Sequence, residues 1–164
     1  MTVPERSSPQ PVSLDEHRGL REAGAVAISS GARAAGLLEG ACRAYQSSLR
    51  LEVVRDLALD IRRKLEALAE LIREDACAVD LLVEATLLCA DLATLAACNA
   101  REIRPGSGST VVHLSSGAAR ALGLLVEART QDLGEEHAAN SLRDVRGSRW
   151  RVDLAIRQLD EAPD

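Results

Sequence analysis

The chain has 164 residues and a mass of 17.5 kDa, a length suited to one domain. Hydrophobic residues at 46% and charged residues at 27% exclude a disordered polymer and predict a soluble globular fold. A net charge of −5, with Trp150 and Tyr45 as the only aromatics, excludes the basic, ring-bearing surfaces that hold nucleic acid.

The apolar residues are mostly Ala, Leu and Val, and the basic ones are nearly all Arg, with Lys64 the single lysine. Ala and Leu are the strongest helix formers, and nothing alternates with period two, so the expected class is all-α: a bundle of about five helices, expected to be dimeric. Residues 1–13, with Pro4, Pro9 and Pro11, read as a flexible arm before one helical domain over 14–161. The opening residues do not resemble a signal peptide. The low-polarity stretch Ala23–Leu38, broken by Arg33, is too short to span a bilayer, so no membrane is expected and the location expected is cytoplasmic.

Ser13-Leu14-Asp15-Glu16 has the form of a capping box and starts a helix at Leu14. Gly19 and Gly24 predict that this helix is short. A second stretch, Gly24 to Ser47, repeats small residues at helical spacing: Gly24, Ala27, Gly31, Ala35 and Cys42. Interior glycines cost about 1 kcal/mol each, so their recurrence predicts close approach to a second helix or to a ligand.

Leu49 to Arg104 contains neither Pro nor Gly and predicts helix throughout. Val54, Ala58, Ile61, Leu65, Leu68, Ile72, Asp75, Val79 and Leu82 alternate steps of four and three, the seam of a bundle helix. An unbroken helix would be too long for the domain, so a break is expected between Asp80 and Leu88. Pro105 to Thr110 predicts a loop with Ser109 or Thr110 as the next N-cap. The following helix should bury Val111, Leu114, Ala118, Ala121, Leu125 and Ala128 and end near Gly134. Glu135–Val145 and Arg149–Leu159 read as one or two shorter helices around Gly147.

Candidate chemistry is sparse. Asp75 is a carboxylate on an apolar seam, where desolvation would raise its pKa toward neutrality and suit it to acid or base work; the alternative is a structural ion pair. His113, beside the next seam, is a second acid–base candidate, although a lone His near a helix start is commonly structural. The loop after Arg101 and Arg104 runs into a helix N-terminus, whose free N–H groups favour anions, so Arg104 and Ser109 are candidate substrate contacts. It lacks the P-loop pattern and also fits a plain linker. The four cysteines, Cys42, Cys77, Cys89 and Cys98, have no CxxC spacing and read as buried free thiols; no metal and no cofactor are expected.

Three segments in order resemble the cyclodeaminase/cyclohydrolase family of folate enzymes. Gly24-Ala25-Val26-Ala27-Ile28-Ser29-Ser30-Gly31-Ala32-Arg33-Ala34-Ala35-Gly36-Leu37 resembles the family's glycine-rich opening helix. Ile61 to Leu71 followed by Glu74-Asp75-Ala76-Cys77-Ala78-Val79-Asp80 is similar to its charged helix ending in Glu-Asp-Ala-x-Ala-Phe-Asp. Asn99 to Ala128 resembles its Gly-Asn loop and following helix. The resemblance implies a helical homodimer with substrate between subunits, no metal or redox cofactor, and C–N bond chemistry on a folate-type ring. Asp75 would then be the family's aspartate, and Gly24 the last glycine of its substrate-binding turn.

The chain departs from the family's pattern where a ligand would sit. The Gly-Gly-Gly-Ser turn is Glu22-Ala23-Gly24-Ala25, the Phe is Val79, and the third motif's Asp falls at or next to His113. A helix and a proline-containing loop after about Ala85 have no counterpart. The alternative expectation is therefore a non-catalytic helical subunit that pairs with another chain in a hetero-oligomer and completes its site, using the small-residue face Gly24–Cys42.

Overall fold

In a computed structural model, residues 13–43, 48–74 and 78–161 are described. Five helices and one short 3-10 turn follow in order: α1 Leu14–Arg43, α2 Leu49–Glu74, α3 Val79–Asn99, α4 Ser107–Arg129, the turn Thr130–Asp132, and α5 Glu135–Asp160. No strand occurs among the described residues. The helices run alternately up and down. α1 to α4 form a four-helix square in chain order, and α5 lies outside it against α3 and α4.

α1 starts where the sequence places it: the Glu16 N–H donates to Ser13 Oγ at 3.2 Å. It does not stop at the glycines. One continuous helix of 30 residues passes through Gly19, Gly24, Gly31, Gly36 and Gly40, so the expected short helix is corrected. Packing outweighs propensity here. Ile28, Ala34, Ala35 and Leu38 are fully buried. A Cβ on Gly31 would lie 2.6 Å from Cys89 Sγ and 3.2 Å from Leu65 Cδ1, so α1 approaches α3 and α2 more closely than alanine allows. Gly19 and Gly40 face open space, and nothing in the packing requires glycine there. The small-residue face Gly24–Cys42 is thus consumed inside the bundle: Gly24, Ala27, Gly31, Ala35 and Cys42 are all buried.

α2 buries Val54, Ala58, Ile61, Leu65, Leu68 and Ile72, the expected seam. It ends at Glu74, and α3 begins at Val79, so the break precedes the expected Asp80–Leu88 interval. α3 ends at Asn99, ahead of Arg104, the residue that Pro105 disfavours in helical geometry. Arg50 at the start of α2 ties down this end. Its Nε donates to Asn99 Oδ1 at 3.1 Å, and its Nη1 lies 2.7 Å from Glu102 Oε1. A cation at a helix C-terminus also suits the helix dipole.

Gly106, at φ 81°, is the N-cap of α4; the expected caps Ser109 and Thr110 lie inside the first turn. α4 buries Val111 and Ala118 as expected, but Leu114, Ala121 and Ala128 are exposed and Leu125 is half-buried. The corrected face is Val111, Ser115, Ala119, Leu122, Val126 and Arg129. Ser115 fits there by donating its hydroxyl to the Val111 carbonyl at 2.6 Å. The 26-residue α5 passes through Gly147 and buries only Ser141, Val145, Ser148, Val152 and Ala155. Ion pairs along it reach inward to α3 and α4: Arg151 to Asp91, Arg149 to Glu127 at 2.8 Å, and Asp153 to Arg120 at 2.8 Å.

Among the described residues, α3 and the segment Ser107–Asp132, not Ala23–Leu38, are the stretches long and apolar enough to cross a membrane by length and composition; half of the most apolar window of each is buried inside the bundle.

Cys42 and Cys89 are buried free thiols, whereas Cys98 is exposed, which corrects that expectation. Cys77 lies outside the described residues. Burial pushes the Cys89 thiol up to about 12, so it carries no thiolate near neutral pH. Because this pKa is raised on folding, its stabilising contribution is complete below the unfolded value of about 9 and is lost as pH climbs toward 12. Alkylation mapped by mass spectrometry at pH 7.5 should label Cys98 within minutes and spare Cys89 until the chain unfolds. Equal labelling of both would contradict this packing.

Candidate functional site

The residues singled out from sequence do not converge. Gly24 is buried in the packing of four helices; a Cβ there would lie 3.3 Å from Leu82 Cδ2 and 3.7 Å from Leu125 Cδ1. That crowding leaves no room for a ligand against Gly24. Arg104 and Ser109 are exposed at the start of α4, and so is His113, which shares a helix face with Ser109 four residues earlier. Asp75 lies outside the described residues, between Glu74 and Ala78. The helix ends on either side of it are at the far end of the bundle from the first turns of α4, about 30 Å away along the 21-residue α3. His113 is therefore not brought toward the chain that flanks Asp75.

A cleft lies elsewhere among the described residues. It is an open cleft of about 760 Å³ along the outward side of α1, closed at one edge by Arg73 near the end of α2. Its lining includes Arg18, Arg21, Arg33 and Arg73, the hydroxyls of Ser29 and Ser30, and Glu22. Four guanidiniums face one carboxylate, a local positive excess on a chain whose net charge is −5.

The four arginines differ in what they hold. Arg18 Nε lies 3.5 Å from Glu22 Oε1, both side chains being more than 70% exposed, so this pair is worth little. Arg73 pairs with Glu70 one turn earlier on α2. Arg33 has no ion pair among the described residues. Arg21 is half-buried, and its Nε is out of contact with solvent yet donates no hydrogen bond. A desolvated guanidinium N–H without an acceptor costs free energy.

No protein-family model matches this chain, and no curated protein does.

Continuity of α1 assembles the cleft. In one helix, Arg18, Glu22, Val26, Ser29 and Arg33 recur at steps of three and four and share a face. Read locally, the glycines divide this stretch, and Arg33 is no more than an interruption of low polarity. The available signal was the arginine spacing, legible once Gly19 and Gly24 are accepted inside a helix. No group of three or more His, Cys, Asp or Glu able to hold a metal occurs among the described residues. The guanidiniums and the Ser29 hydroxyl can bind and orient an anion, whereas the Ser30 hydroxyl already donates to the Val26 carbonyl at 3.0 Å.

Proposed function

We propose that the protein binds a small anionic molecule of the carboxylate or phosphate class in the α1 cleft and makes or breaks a C–N bond in its ring. The excess of guanidinium over carboxylate in that cleft carries the binding half of this reading. The ring chemistry comes from the resemblance to the cyclodeaminase/cyclohydrolase family, whose folate-type substrates carry carboxylates of the kind the cleft would bind. In this reading Asp75 exchanges a proton with a ring nitrogen, and the arginines hold the anionic portion of the substrate. Arg104, Ser109 and His113 do not line the cleft and have no part in it. No metal or cofactor is needed for such a step.

The lining of the cleft favours a second reading. Its titratable residues are four arginines and Glu22, which supports a non-catalytic helical subunit that binds the anion and depends on another chain for the chemistry.

The test is the rate of 5,10-methenyltetrahydrofolate ring opening by the purified protein, wild type beside Asp75→Asn. The first reading predicts turnover that falls at least about a hundredfold in the variant, the scale of a lost acid–base group. Equal turnover in both proteins would remove Asp75 from the chemistry. No turnover in either, with anion binding intact, would favour the subunit reading.

A further inference from the structure

The outward side of the α1–α4 pair is an uncharged face. On α4, Leu114, Gly117, Ala121, Leu124 and Ala128 recur at steps of three and four, and all are exposed. On α1, Gly19, Ala23, Val26, Ser30 and Leu37 form a second strip, with Arg33 at its edge. Ser30, Leu37 and Leu114 line one cavity, so the two strips adjoin. Val26, Leu37, Leu114 and Leu124 are between 41% and 67% exposed, and an apolar patch of this extent marks an interaction surface. Gly19 and Gly117 add a second observation. Both sit inside helices, where glycine lowers stability, and a Cβ at either would meet no atom of the chain. A second helix lying on this face supplies the reason for a missing side chain. The contacts between α1 and α4 fix their relative level. A Cβ on Gly31 would lie 3.9 Å from Ala118 Cβ, and one on Gly24 3.7 Å from Leu125 Cδ1, which puts Ile28 level with Ala121.

We propose that this face pairs with the same face of a second copy of the chain, about a twofold axis perpendicular to the helices at the level of Ala121 and Ile28. Such an axis lays α4 antiparallel on α4. Leu114 then meets Ala128 of the second copy, and Leu124 meets its Gly117. The same axis lays α1 on α1, with Leu37 over Gly19 of the second copy and Val26 beside its Ser30. Each exposed leucine is received by a glycine or an alanine, which is the shape fit that an interface core needs. Charge agrees with this register. Arg33, which has no ion pair among the described residues, falls within one residue of the level of Glu22 of the second copy, and symmetry forms that pair twice. The leucine–glycine matches and the opposite charges call for one axis; a lipid surface would impose neither. This surface is distinct from the small-residue face Gly24–Cys42, which is buried inside the bundle. Pairing leaves Arg21 and Arg73 of the cleft uncovered and does not depend on what the cleft binds.

Sedimentation equilibrium of the full chain over a wide range of concentration tests the pairing. The wild type should reach twice 17.5 kDa as concentration rises. Gly117→Glu places a better helix former in open space, so it should keep the helical circular dichroism of the wild type. It should also weaken pairing at least about tenfold, because the new carboxylate would be buried against Leu124 of the second copy. Arg33→Glu and Glu22→Arg each set like charges together and should weaken pairing as well. An equal mixture of these two variants should restore it, since every cross-pair is again opposite in sign. A wild type that stays at 17.5 kDa throughout would overturn the proposal, and retention of that monomer on phosphatidylcholine vesicles would give the face to a membrane instead. A dimer indifferent to Gly117→Glu would overturn it by placing the interface elsewhere. Charge variants that leave pairing unchanged, or that fail to restore it when mixed, would overturn this axis.

Discussion

Replacing Arg43 and Arg62 together by leucine should lower the stability of the folded chain by about 3 kcal/mol, a large share of a typical domain's total. The reason is Glu39, a carboxylate whose side chain is only 6% exposed in the α1–α2 contact. Glu39 Oε1 accepts a hydrogen bond from Arg43 Nη2, one turn further along α1. Glu39 Oε2 lies 3.0 Å from Arg62 Nη1 on α2, near enough for a strong charge contact but too poorly aimed for a hydrogen bond. Arg43 is 63% exposed, so its loss alone should cost no more than about 1 kcal/mol. Loss of both strands a buried charge. Adding Glu39→Leu to the double variant should recover most of the deficit, since an apolar trio of similar volume often matches a buried ion cluster. Chemical denaturation of the wild type and the two variants gives the comparison. A double variant as stable as the wild type would show that Glu39 is not held in this low-polarity setting.

The second large effect is expected at Gly31. A methyl group there would lie 2.6 Å from Cys89 Sγ, and Cys89 is fully buried. Overpacking of this kind costs about 1–3 kcal/mol. The better helix propensity of alanine returns about 1 kcal/mol, so Gly31→Ala should be destabilising by up to about 2 kcal/mol. In the background of Cys89→Ala the sulfur is gone, and the same Gly31→Ala change should become neutral or stabilising. That reversal of sign distinguishes a local clash from a general intolerance of α1. Additive effects of the two substitutions would contradict the contact.

The helical class and the α2 seam were legible because Val54 to Ile72 repeat cleanly at steps of four and three. The helix boundaries were less so. Nothing between Leu49 and Arg104 punctuates the chain, yet α2 stops at Glu74, because only a reversal brings Leu82 and Cys89 against Gly24 and Gly31 of α1. That is a tertiary cause, absent from any local window. The register on α4 was ambiguous for a related reason. Apolar residues surround this helix, and Leu114 competes with Ser115 for the buried face; the serine is placed there by contacts with neighbouring helices and by bonding to its own backbone.

The candidate site was harder still. Asp75, His113, Arg104 and Ser109 stand out in the sequence by residue type and by their place near helix ends, but the sequence does not show which helix end faces which. The arginines of the cleft carry no motif. Arg18, Arg21 and Arg33 become neighbours only on an unbroken α1, and Arg73 joins them only because α2 runs antiparallel beside α1.

The most direct measurement is calorimetric titration of folate, a stable ring-bearing dicarboxylate, into three proteins: the wild type, Arg21→Gln with Arg73→Gln, and Arg104→Gln with His113→Ala. An anion site on α1 predicts one-to-one binding that weakens at least about tenfold in the first variant and is unchanged in the second. Raising the salt concentration should weaken what remains. Binding that survives loss of the cleft arginines but disappears with Arg104 and His113 would place the site at the other end of the bundle and contradict the account.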